Sequence, residues 1–212
     1  MPATPAPQAE PRGRNRRGQG ERLREEIVET AARMLDDLAD DQALSLRAVA
    51  REVGIAATSV YLHFADRDAL VLAALEHSHA ELTAAIETAE AAAGADPVAR
   101  LRGRLSVLGR WAHDHPGLYK VMHESTLNQR NAMAFKEDFT KRTVAAVQRC
   151  MDAGLAPAGD AALVALDLRA AIHGAVSLRV NQPDLPWPPL GEQVDRFLAK
   201  LVGVETARPA ES

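Results

Sequence analysis

Apolar residues recur every three or four positions along most of the chain, the spacing that places side chains on one face of an α-helix. The first such stripe includes Leu23, Ile27, Ala31 and Leu35. The same spacing predicts helices over about 21–39, 46–53, 56–63, 67–90, 97–113, 116–124, 127–153, 160–180 and 191–203. No segment alternates like a strand, and the helix-favouring residues Ala, Leu, Arg and Glu dominate. We therefore expect an all-α fold of about nine helices.

Residues at the predicted helix ends support these boundaries. Ser45 and Asp66 carry side-chain oxygens that can accept from the free N–H groups of a first helical turn. Asp96 and Pro97 suit a cap and the first helical position that follows it. Gly54 can adopt the left-handed conformation that ends a helix.

The composition narrows the class of protein. The chain has 212 residues and is 47% hydrophobic, which is enough for a sizeable core. A single cysteine, Cys150, cannot form an intramolecular disulfide. We find neither a signal peptide nor the ~18 uninterrupted apolar residues of a membrane span. These features predict a soluble, cytoplasmic protein that does not enter a membrane.

Charge is unevenly distributed. The net charge is -4, yet six arginines and one acidic residue lie between positions 11 and 24. Residues 1–20 are predicted to be a disordered arginine-rich arm, and residues 205–212 a disordered tail. The arm can contact phosphates or a minor groove, or it can be a solvated tail, and both interpretations stay open.

Two short predicted helices around a glycine, "SLRAVAREVGIAATSVYLHF", have the spacing of a helix-turn-helix. Ala50 is small where the helices must cross, and Gly54 can form the sharp turn. Ile55 and Val60 can fill the core beneath them. In this motif the second helix lies in a major groove and reads base edges.

The segment from about Leu23 to Leu75 resembles the N-terminal domain of TetR-family transcriptional regulators. The resemblance rests on "A-x-x-V-G-I", "S-V-Y-x-H-F", an acidic-basic-acidic turn and "A-L". It differs at Ala56, Ala57 and Thr58, where the family usually has a serine or threonine cap and then glycine or proline. The missing cap should weaken the start of the recognition helix, which leaves its base preference open.

The resemblance implies a three-helix DNA-binding domain over residues 21–68 and a helical ligand-binding and dimerisation domain over residues 69–204. It implies a regulator, most simply a repressor released from a near-palindromic operator by a small apolar or amphipathic ligand. The implied DNA contacts are Ser45, Arg47, Ala57, Thr58, Ser59, Tyr61, Leu62, His63 and Arg67.

Individual roles follow from chemistry and from the family. Arg47 can pair with a guanine edge, and Leu62 can meet a thymine methyl group. Tyr61 and His63 match the family's phosphate-contacting pair, although both could instead be half-buried packing residues. Arg67 would reach a phosphate from a helix N-terminus. Thr58 and Ser59 offer hydroxyls to bases or phosphates, and Phe64 is predicted to belong to the core.

In the second domain, "WAHDHPGLYKVM" and "AAIHGAVSL" resemble segments of TetR-like C-terminal domains. Family members pair through their last two helices, here about 160–180 and 191–203, to form a homodimer. A ligand pocket is expected among the middle helices. The candidate lining residues, each of which could equally be an ordinary core residue, are Trp111, Tyr119, Met122, His123, Phe135, Phe139 and His173.

Other functional classes have weaker support. Histidines cluster at 77 and 79 and at 113, 115 and 123, but helical residues two apart point about 200° from each other, so neither close pair is a preformed chelate. We therefore predict no metal site and no cofactor. No motif of a known catalytic site occurs, and we expect no enzyme. The competing hypothesis is a helical ligand-binding or enzymatic protein with a vestigial helix-turn-helix.

Overall fold

The computed structural model of the protein describes residues 19–127 and 134–204. The predicted tail, residues 1–18 of the predicted arm and residues 128–133 of the predicted seventh helix lie outside this range. Within it there are nine α-helices and no strand, which confirms the all-α prediction. The helices are α1 (Gln19–Leu38), α2 (Leu46–Val53), α3 (Ala57–Tyr61), α4 (Arg67–Ala92), α5 (Pro97–Asp114), α6 (Pro116–Glu124), α7 (Ala134–Asp152), α8 (Ala161–Asn181) and α9 (Leu190–Phe197).

Helix α1 begins at Gln19, so residues 19 and 20 are helical and were wrongly assigned to the arm. Two other helix ends differ more from the predictions. The helix α3 is shorter than predicted, because the N–H groups of His63 and Phe64 both donate to the carbonyl oxygen of Val60 (3.0 Å), which turns the chain. The last helix was predicted to continue to residue 203, but after α9 it changes to a π-helical turn, Leu198–Val202. There the N–H of Gly203 donates to the carbonyl oxygen of Leu198 (3.1 Å).

The helices enclose two hydrophobic cores. The first lies among α1, α2, α3 and α4, and the second among α5, α7, α8 and α9. Helix α6 contributes to both, because Leu118 and Val121 pack in the first core and Tyr119 packs in the second. Trp111 of α5 also contacts both. Helix α6 therefore lies where a change in one core reaches the other.

Helix α8 has a large uncovered apolar surface. It is the one helix of the described residues that is long and apolar enough to cross a membrane by length and composition. Such a test is weak evidence, since core helices of soluble proteins also pass it, and Asp167 and Arg169 interrupt this helix. Leu163 and Leu166 near its start are 59% and 58% exposed. No other element of residues 19–127 and 134–204 covers this surface.

Candidate DNA-binding face and ligand cavity

The turn between α2 and α3 is built from the residues that its geometry requires. The hydroxyl of Ser45 accepts a hydrogen bond from the N–H of Ala48 (3.2 Å) and caps α2. Gly54 ends α2 in the left-handed region with φ at 78°, where an L side chain is strained. The N–H of Ile55 then donates back to the carbonyl oxygen of Ala50 (2.9 Å). The expected helix-turn-helix is therefore present.

Helix α3 presents one face to the core and the other to solvent. Val60 and Phe64 are buried, at 0% and 4% exposure, whereas Tyr61 and Leu62 are 52% and 85% exposed. No side chain caps the helix at Ala56, as the sequence predicted. Tyr61 at the end of the helix and Leu62 directly after it therefore form an exposed apolar surface on the side opposite the core.

The other predicted DNA contacts surround this exposed face. Thr58 is exposed, and Ser59 and His63 are half-buried. Ala57 is also half-buried, but it packs against the first core. Arg47 is exposed and makes no hydrogen bond or ion pair with any residue that the structure describes.

Arg67 lies at the start of α4, where the carboxylate of Asp66 caps the helix by accepting from the N–H of Ala69 (2.8 Å). Its guanidinium forms an ion pair with Asp68 (2.8 Å) and donates to the side-chain oxygen of Gln42 (2.7 Å). A phosphate at this position would therefore compete with Asp68 for Arg67.

A clamp joins α1 to α6. The carboxylate of Asp36 accepts from the N–H groups of Gly117 (2.9 Å) and Leu118 (3.0 Å) and lies 3.0 Å from the Nδ1 atom of His115. An anion at a helix N-terminus is stabilised by the free N–H groups and by the helix dipole. His115, which the sequence placed in a histidine cluster, thus contacts a carboxylate of another helix.

No group of three potential metal ligands occurs in 19–127 or 134–204.

A cavity lies between α4, α5, α6, α7 and α8. Four of the seven predicted ligand residues line it: Tyr119, Met122, His123 and Phe139. The sequence did not single out the other seven, which are His79, Leu82, Leu108, Lys136, Thr140, Arg169 and Ile172. His79 shares a helical face with Leu82, three positions later, and this spacing was a signal that could have identified it.

The three remaining predicted residues lie outside this lining. His173 stands behind Tyr119, whose hydroxyl lies 3.0 Å from its Nδ1 atom. Phe135 packs against His79 with ring centroids 4.8 Å apart. Trp111 packs between the two cores, with its ring 5.2 Å from that of His115.

A second cavity adjoins the first. The two share the residues Leu108, Phe139, Thr140, Arg169 and Ile172. The second cavity adds a largely apolar wall from α5, α7 and α8, made of Arg104, Leu105, Thr143, Ala162, Ala165, Leu166 and Leu168.

Burial controls the ionisation of the lining. Burial lowers the pKa of His79 and of His123 to about 4, so both rings are neutral at pH 7. Burial also raises the pKa of Tyr119 to about 12. The pKa of Lys136 is lowered to about 8, first by burial and then by the charge of Arg169, and its ammonium donates to the carbonyl oxygen of Met122. Lys136 and Arg169 therefore supply the positive charge of the first cavity.

Similar folds occur among solved structures. A protein of unknown function from Rhodococcus sp. RHA1 is 29% identical, with a TM-score of 0.71 over 85% of this chain and 95% of that one. SmeT, the repressor of the Stenotrophomonas maltophilia multidrug efflux pump SmeDEF, is 22% identical, with a TM-score of 0.68 over 89% and 96%. AibR in complex with isovaleryl coenzyme A and operator DNA is 18% identical, with a TM-score of 0.63 over 85% and 98%. The last two likenesses concern the fold.

Two family profiles match the sequence itself. Residues 101–204 match a profile described as the tetracyclin repressor-like C-terminal domain. Residues 27–74, which contain the helix-turn-helix, match the profile of the bacterial regulatory proteins of the tetR family. Together with the two-faced helix α3, these matches show that the chain belongs to the tetR family of bacterial regulatory proteins.

Proposed function

We propose that the protein is a homodimeric transcriptional repressor that binds a near-palindromic operator and is released by a small amphipathic ligand. Residues 21–68 form its DNA-binding domain and residues 69–204 its ligand-binding and dimerisation domain. It acts in the cytoplasm, where bacterial DNA lies, and its cavity serves binding rather than catalysis. The observation that carries the proposal is the exposed face of α3, with Leu62 85% exposed beside the fully buried Val60.

The exposed side chains around α3 suit distinct contacts with a duplex. Arg47 can donate two hydrogen bonds to a guanine, and the Leu62 side chain can pack on a thymine methyl group. Tyr61 and His63 can donate to phosphates, which position the protein without reading sequence. Arg67 contacts a phosphate once that phosphate replaces Asp68 as its partner.

The uncovered surface of α8 supports dimerisation. Leu166, Ala170, Gly174 and Leu178 recur every four residues, and none of them is fully buried. Residues at this spacing share one helical face, and the two small residues between the leucines permit close helix packing. A second copy covers this face through α8 and α9 and places two α3 helices about 34 Å apart, one per major-groove turn.

Helix α6 connects the cavity to the DNA-binding domain. Met122 and His123 of α6 line the cavity, and Asp36 of α1 holds the N-terminus of the same helix. A ligand that shifts α6 therefore displaces α1. The ligand then favours a dimer in which the two α3 helices no longer match successive grooves.

The comparisons support a regulator over a protein with a vestigial motif. SmeT is described as a repressor, and AibR has been crystallised with both an acyl coenzyme A and operator DNA.

Fluorescence anisotropy with duplexes from the protein's own upstream region tests this function. We expect one duplex to bind at least about 10³-fold more tightly than random DNA at physiological salt. Arg47→Ala should relax specificity at one base position, whereas Arg67→Ala should weaken all duplexes alike. Arg149→Ala, an exposed substitution on α7, is the matched control and should leave affinity unchanged. Equal binding of all duplexes would refute the repressor proposal.

A further inference from the structure

We propose that the two adjoining cavities select an organic anion with an apolar tail, most simply a medium-chain carboxylate. The carboxylate lies near Arg169 and Lys136, and the tail extends along the second cavity past Leu105 and Ala165. This inference rests on the proposed function, because it names the class of the effector.

The charged side chains that line the two cavities are all positive. Arg169 and Lys136 carry the positive charge of the first cavity, and its lining contains no aspartate or glutamate. The second cavity also has no carboxylate in its lining and adds Arg104. A neutral or cationic ligand would leave the charge of Arg169 without a counter-ion in the cavity. An anion matches it.

The carboxylates nearest these cavities are already paired with arginines. Asp138, whose charge acts on His79, accepts from the guanidinium of Arg142 (2.6 Å). Glu90 accepts from Arg104 (3.0 Å). Arg169, in contrast, makes no hydrogen bond or ion pair with any residue of the described ranges. Its guanidinium remains available to a ligand.

The geometry of a guanidinium favours a carboxylate. Arginine presents a planar pair of N–H groups that matches two carboxylate oxygens. Arg169 lines both cavities, so an anion bound to it stands at their junction. The neutral His79 ring and the Tyr119 hydroxyl can donate further hydrogen bonds to the same group. The neutral His123 ring cannot, because its one N–H, on Nδ1, donates to the carbonyl oxygen of Tyr119 (2.8 Å).

The remainder of the cavity suits a hydrocarbon chain. Leu108 and Ile172 lie at the junction, and the path beyond them is walled by Leu105, Ala165 and Leu168. Burial of each methylene in such surroundings should raise affinity about threefold to fourfold. Both the charge of the head and the length of the tail should therefore determine affinity.

Isothermal titration calorimetry of the full chain with decanoate, hexanoate and decan-1-ol tests the proposal. We expect decanoate to bind at least about tenfold more tightly than decan-1-ol. We also expect it to bind more tightly than hexanoate, by about threefold to fourfold for each additional methylene. Arg169→Gln should reduce decanoate affinity at least about tenfold and change that of decan-1-ol little. Arg149→Gln on α7 is the control for removal of an exposed arginine charge. Thermal melts establish that both variants fold.

Three results would overturn the inference: no binding of decanoate, decan-1-ol binding as tightly as decanoate, or an unchanged decanoate affinity in the Arg169→Gln variant. Calorimetry needs no DNA, so its outcome is separate from that of the operator assay. Specific operator binding without decanoate binding would refute the anion site and leave the repressor standing. Decanoate binding by a protein that binds no duplex specifically would refute the repressor proposal and leave the anion site standing.

Discussion

The close approach of α6 to α1 makes the substitution Gly117→Ala a sharp test of the clamp. A β-carbon on Gly117 would lie 2.6 Å from the carbonyl carbon of Asp36 and 2.9 Å from its Cα atom. Carbon atoms in good contact are about 3.5–4.0 Å apart. The carbonyl oxygen of Asp36 would lie closer still. All three neighbours are backbone atoms and cannot rotate away, so the start of α6 must move off α1 by at least about 1 Å.

That displacement breaks the hydrogen bonds that Asp36 accepts from Gly117 (2.9 Å) and Leu118 (3.0 Å). A hydrogen bond to a charged group contributes about 1.5–3 kcal/mol. The Asp36 side chain is 20% exposed, so water can replace part of each broken hydrogen bond. We therefore use the lower value, about 1.5 kcal/mol for each bond. The two bonds then amount to about 3 kcal/mol. Alanine stabilises a helix by about 1 kcal/mol relative to glycine, which offsets part of this loss.

The net destabilisation of about 2 kcal/mol should lower the melting temperature by about 4–8 °C. Circular dichroism melts measure this shift. Gly103→Ala on α5 is the matched control, because its β-carbon meets the carbonyl oxygen of Ala89 at an ordinary 3.5 Å. The control should melt slightly higher than the parent protein. If Gly117→Ala has the same melting temperature as the parent protein while the control behaves as expected, the close contact between α1 and α6 is absent in solution.

Three further predictions concern the second domain. Burial lowers the pKa of His123 to about 4, below its unfolded value, so the unfolded chain binds more protons and stability should fall as the pH drops below about 6.5. Urea titrations between about pH 7 and 5 should show this fall, and it should be smaller in His123→Gln. Leu163→Arg should convert the dimer to monomers in sedimentation velocity, whereas Leu155→Arg, at a similarly exposed leucine (48%), should not. Arg104→Met leaves the buried Glu90 carboxylate with only the longer ion pair to Arg100 (3.8 Å) and should destabilise the fold by about 3 kcal/mol, while the double variant with Glu90→Gln should lose less.

The helices and their ends could be predicted from the sequence because their causes are local. Ser45 and Asp66 cap the helices for which they were proposed, each through an N–H three positions later. Gly54 adopts the positive φ that the turn requires. The π-helical turn after α9 could not be predicted in this way, since it depends on how Leu198 and Val202 are buried against the second core.

The cavity shows where sequence reasoning ends. Aromatic residues and methionines were the visible candidates, and Tyr119, Met122 and Phe139 do line it. Lys136 and Arg169, which give the cavity its charge, lie 33 positions apart on separate helices. A lysine or arginine in a helix is usually solvated, so only the packing of α7 against α8 shows that these two face one space.

The position of α6 gives the proposed regulation an energetic basis. Binding free energy can reach the DNA-binding domain only through contacts that differ between two arrangements of the protein. The two hydrogen bonds that Asp36 accepts in the clamp contribute about 3 kcal/mol. This is comparable to a typical coupling free energy between two sites, about 1–3 kcal/mol. A ligand that moves the cavity end of α6 must either break this clamp or carry α1 with it. Since α1 and α3 share the core around Ile27 and Val60, carrying α1 reorients α3. In the proposed mechanism, the hydrogen bonds that stabilise the fold would therefore also couple ligand binding to the position of α3.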